Sequence, residues 1–310
     1  MRQRKIGNPA TPFVDVTGSV DIDINGTFKK TSAPALKTYL EEIFGIKNKV
    51  AVITGGSGIL GGEMAKGLLK AGAKVILLAR NENRLKMVVD ELCSTGNDIA
   101  WWKCDVLNEM EIRKVHEKIL NDFEYIDILI NAAGGHVADA IINKDQSIFD
   151  LKIENFKKVT DLNLHGTVLP TLIFGKTMAE RKTGSIINIS SMASQRAISR
   201  AAGYSAAKAA IENFTKWMAV EMALKFGNGI RVNAIAPGFL LTNQNRNLLT
   251  GKDGKLTERG ETIINMTPFK RFGIPDELIG TVLWLASDAS KFVTGSIIPV
   301  DGGFSVYSGV

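Results

Sequence analysis

From Val50 onward, short apolar runs without internal alternation give way in turn to longer stretches whose apolar positions recur every three or four residues. Seven such runs are predicted as strands: Val50 to Thr54, Lys74 to Ala79, Ile99 to Cys104, Ile126 to Asn131, Ser185 to Ser190, Ile230 to Ala236 and Ser296 to Val300. Continuous apolarity, rather than every second position, is what a strand covered on both faces requires. Between them the helical period predicts Gly61 to Lys70, Glu82 to Cys93, Glu109 to Phe123, Phe156 to Glu180, Tyr204 to Phe226 and Pro275 to Ala286. Strands alternating with helices imply right-handed parallel crossovers and a doubly wound α/β sheet. One domain over residues 48–310 is expected, preceded by an extension over 1–47. In that extension Val14 to Ile24 alternates about a glycine, as a small hairpin would, and a short amphipathic helix opens at Pro34 and runs through Ile43. Asp15, Asp21 and Asp23 argue against a mitochondrial presequence there.

Composition narrows the class. With 45% hydrophobic and 23% charged residues in 310, the chain can bury a sizeable core, which excludes wholesale disorder. Cys93 and Cys104 form no CxxC and have no His-rich neighbour, so neither a disulfide framework nor a metal site is expected. No apolar run reaches the roughly 18 residues that span a bilayer, and no apolar segment follows the basic start; a cytoplasmic protein without a membrane partner is the expectation. The net charge of +6 is scattered, without a recognition-helix cluster, and no nucleic-acid partner is expected.

The first strand-to-helix turn reads Thr54-Gly55-Gly56-Ser57-Gly58-Ile59-Leu60-Gly61. Glycines at 55, 58 and 61 allow a tight turn, close approach of backbone N–H groups to a pyrophosphate, and close helix packing. Gly55, Ser57, Gly58, Ile59 and Leu60 are therefore candidate contacts of a dinucleotide on a Rossmann-type sheet, against the alternative of a turn used only for packing. At the end of the second strand an acid would accept from the ribose hydroxyls of NAD, but the sequence offers Leu78-Ala79-Arg80-Asn81. Arg80 suits a 2′-phosphate, which favours NADP(H) over NAD(H); a solvated charge at a helix start is the alternative. Asp105, with Val106 after it, is placed either to cap the following turn or to touch the adenine.

Further along, Tyr204 and Lys208 stand at i and i+4, on one face of a predicted helix, with Ser191 thirteen residues before the tyrosine. A cation one turn away lowers the pKa of a phenol from about 10, which fits it for proton exchange. Ser191 would hydrogen-bond a substrate carbonyl or hydroxyl.

With Asn131-Ala132-Ala133-Gly134, Asn163-Leu164-His165-Gly166 and Pro237-Gly238 in the same order, residues 49–310 resemble the short-chain dehydrogenase/reductase family. The resemblance implies a catalytic tetrad of Asn163, Ser191, Tyr204 and Lys208, with Asn163 kinking its helix around a relay water; a buried, internally satisfied Asn is the alternative. It also implies that Asn131, Ala132, Ala133 and Gly134 support the sheet beneath the nucleotide, that Pro237, Gly238 and Thr242 contact its nicotinamide half, and that subunits assemble as tetramers or dimers. Phe174, Phe214, Trp217 and Met218 permit that assembly, and core packing explains them equally well.

The turn TGGSGILGGEMAKGL and the tail from APGFLLTNQNRNLL to FVTGSIIPVDGGFSVYSGV are similar to the D-mannonate oxidoreductase (fructuronate reductase) branch of that family. That similarity implies reversible reduction of the C5 ketone of a sugar acid. Arg246 and Arg196 are then the candidate partners of the substrate carboxylate, and His136 of a sugar hydroxyl, with solvated or structural roles as alternatives. Gly135 to Asp139 departs from the branch pattern, being shorter. Reductases of 5-keto-gluconate or 3-ketoacyl type, and a nucleotide-sensing protein without catalysis, are the competing functions.

Overall fold

The computed structural model of the chain describes residues 33–93, 98–242, 245–251 and 254–309; the predicted hairpin over 14–24 lies outside them. The chain divides between Glu41 and Glu42 into two units. Helix α1 (Ala33–Phe44) matches the helix predicted from Pro34, and most of it belongs to the first unit.

The second unit holds one seven-stranded sheet: β1 (Val50–Thr54), β2 (Lys74–Ala79), β3 (Ile99–Lys103), β4 (Ile128–Asn131), β5 (Gly184–Ile189), β6 (Ile230–Pro237) and β7 (Ile297–Val300). Every neighbouring pair is parallel, in the order β3-β2-β1-β4-β5-β6-β7. All seven predicted strands are present, their ends displaced by one or two residues. The absence of alternation has its cause in the layers. Ala51 and Ile53 of β1 pack with Met64 and Leu68 of α2 (Ile59–Lys70) and with Val282 and Leu285 of α10 (Ile279–Ala286). Val50 and Val52 pack instead with Ile112 of α4 (Glu109–Phe123), Phe174 of α6 (Gly166–Arg181) and Met218 of α7 (Ala202–Phe226). Each strand face meets helices, so neither can be polar. Phe174 and Met218 are thus core residues, whereas Trp217 is 58% exposed.

Three differences from the predicted elements stand out. The stretch Phe156 to Glu180 is not one helix: α5 (Ile153–Thr160) and α6 are separated by a π-helical turn over Asp161–His165. The helix expected from Pro275 begins as a 3-10 turn, Pro275–Leu278, before α10. Two helices went unpredicted, the short α8 (Arg246–Leu249) and α9 (Glu258–Asn265), whose sequence ERGETIIN becomes apolar only near its end. α3 (Glu82–Cys93) falls where expected. Among the described residues no helix is long and apolar enough to cross a membrane.

β1 and β4 are neighbours in the sheet, and the chain leaves them toward opposite edges. Such a switch point opens a crevice beyond the carboxyl ends of the strands. Thr54 and Asn131, the last residues of the two strands, stand side by side there.

Candidate active site

A cleft of about 360 Å³ occupies that crevice. At one end it is lined by the turn between β1 and α2. Gly55 adopts φ +68°, and a Cβ there would stand 2.7 Å from the Ala132 carbonyl oxygen, so the position accepts only glycine without strain. Gly58 starts α2 without any side-chain cap. The contrast with α4 is instructive: Asn108 caps that helix by accepting from the Met110 and Glu111 amides at 3.1 and 3.3 Å. The first amides of α2 are left without such a partner, and an uncapped helix start walled by glycine backbone is what a pyrophosphate needs. The residues present therefore fit a dinucleotide.

Of the predicted nucleotide contacts, Gly55, Gly58, Ile59 and Leu60 line the cleft, as do Ala132 and Gly134 beyond β4. Pro237, Gly238 and Thr242 line it after β6. Ser57, Arg80, Asp105, Val106, Asn131 and Ala133 do not. Arg80 is exposed at the end of β2. Asp105 Oδ1 accepts from the Leu107 amide at 3.0 Å, which is the capping alternative, and Val106 is buried. Asn131 is buried in a ladder running across the sheet. Its Nδ2 donates to Thr171 Oγ1 at 2.8 Å and to Asn188 Oδ1 at 2.9 Å, and Asn188 Nδ2 donates to Thr215 Oγ1 at 2.9 Å. That ladder ties β4 and β5 to α6 and α7. The Ala133 amide donates to Thr54 Oγ1 at 3.2 Å, fixing β4's exit to β1.

At the other end, the structure brings Ser191, Tyr204 and Lys208 to one wall. Lys208 is buried, its Nζ 5.6 Å from the Tyr204 ring centroid, and it donates to the Ile189 carbonyl at 2.7 Å. Asn163 is fully buried in the π-helical turn. In an α-helix the Val159 carbonyl would accept from the Asn163 amide; here Asn163 Nδ2 donates to it at 2.8 Å and also to the Gly135 carbonyl at 2.8 Å. Asn163 Oδ1 accepts from the Gly135 amide at 2.9 Å. The widened turn thus locks the backbone just past Gly134. A Cβ at Gly134 would stand 2.6 Å from Asn163 Oδ1 and 3.4 Å from Lys208 Nζ, so this glycine is what lets the two side chains converge.

The electrostatics differ from the sequence expectation. Burial pushes the Tyr204 phenol above its usual value, and its hydrogen bond with Ser191 opposes that rise. Burial also brings the Lys208 ammonium down to about 8, because nothing anionic offsets its loss of water.

One buried carboxylate escaped the sequence reading. Glu212, one turn beyond Lys208 on α7, accepts from Ser190 Oγ at 2.9 Å and Gln195 Nε2 at 3.2 Å. Ser194 Oγ lies between that carboxylate and the Ser191 carbonyl. The loop that presents Ser191 is thereby anchored to the helix that presents Tyr204. The i, i+4 spacing from Lys208 was the signal available for it.

The predicted substrate residues divide. His136 lines the cleft, its ring centroid 4.3 Å from that of Tyr204, and withdrawal from water lowers its pKa, with Arg259 and Lys208 lowering it further. Arg196 Nη2 donates to the Tyr307 carbonyl at 3.1 Å. Arg246 is exposed at the start of α8, and neither arginine lines the cleft. The guanidinium that does is Arg259 of α9, which the sequence reading missed along with its helix.

Residues 56–305 match the family model described as enoyl-(acyl carrier protein) reductase. The chain belongs to the short-chain dehydrogenase/reductase family and is an NAD(P)-dependent oxidoreductase acting on CH–OH donors. Among its relatives, an uncharacterized oxidoreductase of Bacillus subtilis, UxuB, is 45% identical over 86% of this chain and 98% of its own length. A 2-dehydro-3-deoxy-D-gluconate 5-dehydrogenase of Formosa agariphila is 35% identical over 84% of this chain and 94% of its own. A Haemophilus influenzae structure, solved with bound NAD and described as a candidate D-mannonate oxidoreductase, superposes with a TM-score of 0.80 at 41% identity, covering 86% of this chain and 98% of that one.

Proposed function

We propose that the protein interconverts a keto sugar acid and its alcohol, most specifically D-fructuronate and D-mannonate. The observation that carries this reading is the convergence of Ser191, Tyr204 and Lys208 on a cleft that the glycine turn also lines. The similarity to the Haemophilus influenzae protein supports the particular substrate.

In this reading Gly55, Gly58, Ile59 and Leu60 hold the pyrophosphate, and Ala132, Gly134, Pro237, Gly238 and Thr242 border the nicotinamide half. The reduced nicotinamide, when bound, supplies hydride. Ser191 Oγ and Tyr204 Oη hold the ketone oxygen, and the Tyr204 phenol gives it the proton. Hydrogen bonds placed where negative charge develops lower the barrier most effectively in a site removed from water. Lys208 orients the tyrosine's surroundings and supplies positive charge beneath its ring. Asn163 keeps the Gly134–Gly135 backbone where Lys208 can approach. In oxidation the same tyrosine oxygen receives the alcohol proton.

Arg80, exposed just past β2 in Leu78-Ala79-Arg80-Asn81, where no acid stands at the strand end, supports NADP(H) as the preferred nucleotide; the Haemophilus influenzae relative, solved with NAD, is the observation on the other side. Exposed Leu172 on α6 and Trp217, Val220 and Leu224 on α7 support assembly into a homotetramer or dimer. Two free thiols, Cys93 exposed and Cys104 buried, suit a reducing cytoplasm.

A spectrophotometric assay of D-fructuronate with NADH and, separately, NADPH tests the reading. Oxidation of reduced nucleotide is expected, faster at low concentration with NADPH. No oxidation with either nucleotide, alongside turnover of a 3-ketoacyl thioester, would replace the substrate assignment.

A further inference from the structure

The described residues lining the cleft include three that can carry positive charge, Lys208, Arg259 and His136, and no Asp or Glu. Lys208 is buried and already engaged by the Ile189 carbonyl. Arg259 is different. It is half-buried, and among the described residues it has neither a hydrogen bond nor an ion pair. Its neighbour Glu258, which could have neutralised it, reaches out instead to Lys144 at 2.8 Å. Arg200, the like charge that acts on it, donates to the Ile142 carbonyl at 2.6 Å and to Asn143 Oδ1 at 3.2 Å, so its guanidinium is committed to a neighbouring loop.

The position is also unfavourable by local rules. Arg259 stands in the first turn of α9, directly after the Thr257 cap and Glu258. The helix dipole favours acids there and disfavours cations. Loss of water and the nearby Arg200 both act against the charged form of Arg259. A guanidinium held against its helix dipole, near a second guanidinium, and with no anionic partner among the described residues is accounted for by an anion that arrives with the substrate. The site is at the reacting end: Arg259 acts electrostatically on His136, and the His136 ring stacks on Tyr204.

We propose that Arg259 is the residue that anchors the carboxylate of an acyclic sugar acid in the cleft, pairing both carboxylate oxygens through its planar fork, and that it thereby selects acids over neutral polyols. This deepens the proposed function and rests on it for the nature of the substrate. It assigns to Arg259 the role that the sequence pattern offered to Arg246 or Arg196, and it makes Arg259 a specificity residue rather than a participant in proton transfer.

The decisive measurement is binding rather than turnover. D-Mannonate and the neutral D-mannitol are titrated calorimetrically into the full chain saturated with reduced nucleotide, which can take no hydride from either alcohol, for wild type and Arg259→Met. Wild type is expected to bind mannonate more tightly than mannitol. Arg259→Met should weaken mannonate by about 10- to 100-fold, as loss of a charge-assisted bidentate pair does, and leave mannitol within about twofold. Arg259→Lys keeps the charge but loses the fork and should fall between them; it also serves as the test if the methionine variant does not fold. Equal weakening of acid and polyol, no weakening of either, a wild type that does not prefer the acid, or the acid-specific loss appearing in Arg246→Met instead would each overturn the assignment. The fructuronate assay on wild type judges the proposed reaction separately: turnover there with unchanged mannonate binding in Arg259→Met would leave the reaction standing and remove only Arg259.

Discussion

On the side of the cleft proposed to take the nucleotide, Gly55 and Gly58 contribute by lacking side chains, and what the turn offers a ligand is backbone amides. At the reacting end the arrangement is the reverse: Ser191, Tyr204 and Lys208 present side-chain atoms, and further side chains, Asn163 and Glu212, hold them in place. A surface of backbone amides is set by φ, ψ and close approach, so it tolerates little added volume and little change of dihedral. A surface of buried side chains is set by hydrogen bonds and by the cost of removing charge from water. The same kind of substitution should therefore fail differently at the two ends, losing affinity at one and chemistry at the other.

The largest separation is expected from Tyr204→Phe. Removing the proposed proton donor should lower kcat by about 10²- to 10⁴-fold, while nucleotide affinity, read by fluorescence titration, stays within about twofold. A comparable loss in both quantities would mean that the two ends are not independent. Next comes Gly55→Ala. Its methyl would press on the Ala132 carbonyl at 2.7 Å from a backbone held at φ +68°. The variant should lose about 1–3 kcal/mol of stability in urea and bind nucleotide at least about 10-fold more weakly, with kcat near wild type once nucleotide saturates. Unchanged binding in a folded Gly55→Ala would break the backbone account of that end.

The smallest effect is a pH dependence peculiar to the reacting end. An unfolded chain keeps the Lys208 proton up to 10.5, while the folded protein releases it at about 8. Between those values the unfolded state binds more protons, so this group makes stability rise with pH; below about 8 both states hold the proton and its contribution is flat. Wild type should therefore gain about 1–2 kcal/mol relative to Lys208→Met between roughly pH 7.5 and 9.5. Denaturant melts at the two pH values decide it, and a wild type that loses stability relative to Lys208→Met as pH rises would reverse the sign assigned to burial.

Local periodicity exposed most of the fold. The strands from Val50 to Val300 were legible because burial on both faces leaves a plain apolar signature, and Tyr204 with Lys208 because an i, i+4 pair is fixed by helical pitch alone. The glycine turn was legible because few other residues can follow a buried strand at φ > 0. The π-helical turn at Asn163 left no mark in the periodicity; the kink there was expected only from the resemblance, and what its side chain holds is the Gly135 backbone 28 residues earlier. α9 stayed hidden because its apolar residues come late, although Thr257 before Glu258 was a cap signal, and a cation in the first turn behind that cap was the one local oddity pointing to Arg259.

By itself, then, the order of residues determined the strand count, the parallel α/β architecture, the glycine cradle and the tyrosine–lysine pair, since each depends on spacing within a single element or turn. Only the tertiary structure decided which arginine reaches the cleft, that Glu212 ties the Ser191 loop to α7, and that burial lowers the proton affinity of Lys208 and raises that of Tyr204. Those outcomes depend on which surfaces exclude water and which distant segments meet, and no period along the chain encodes either.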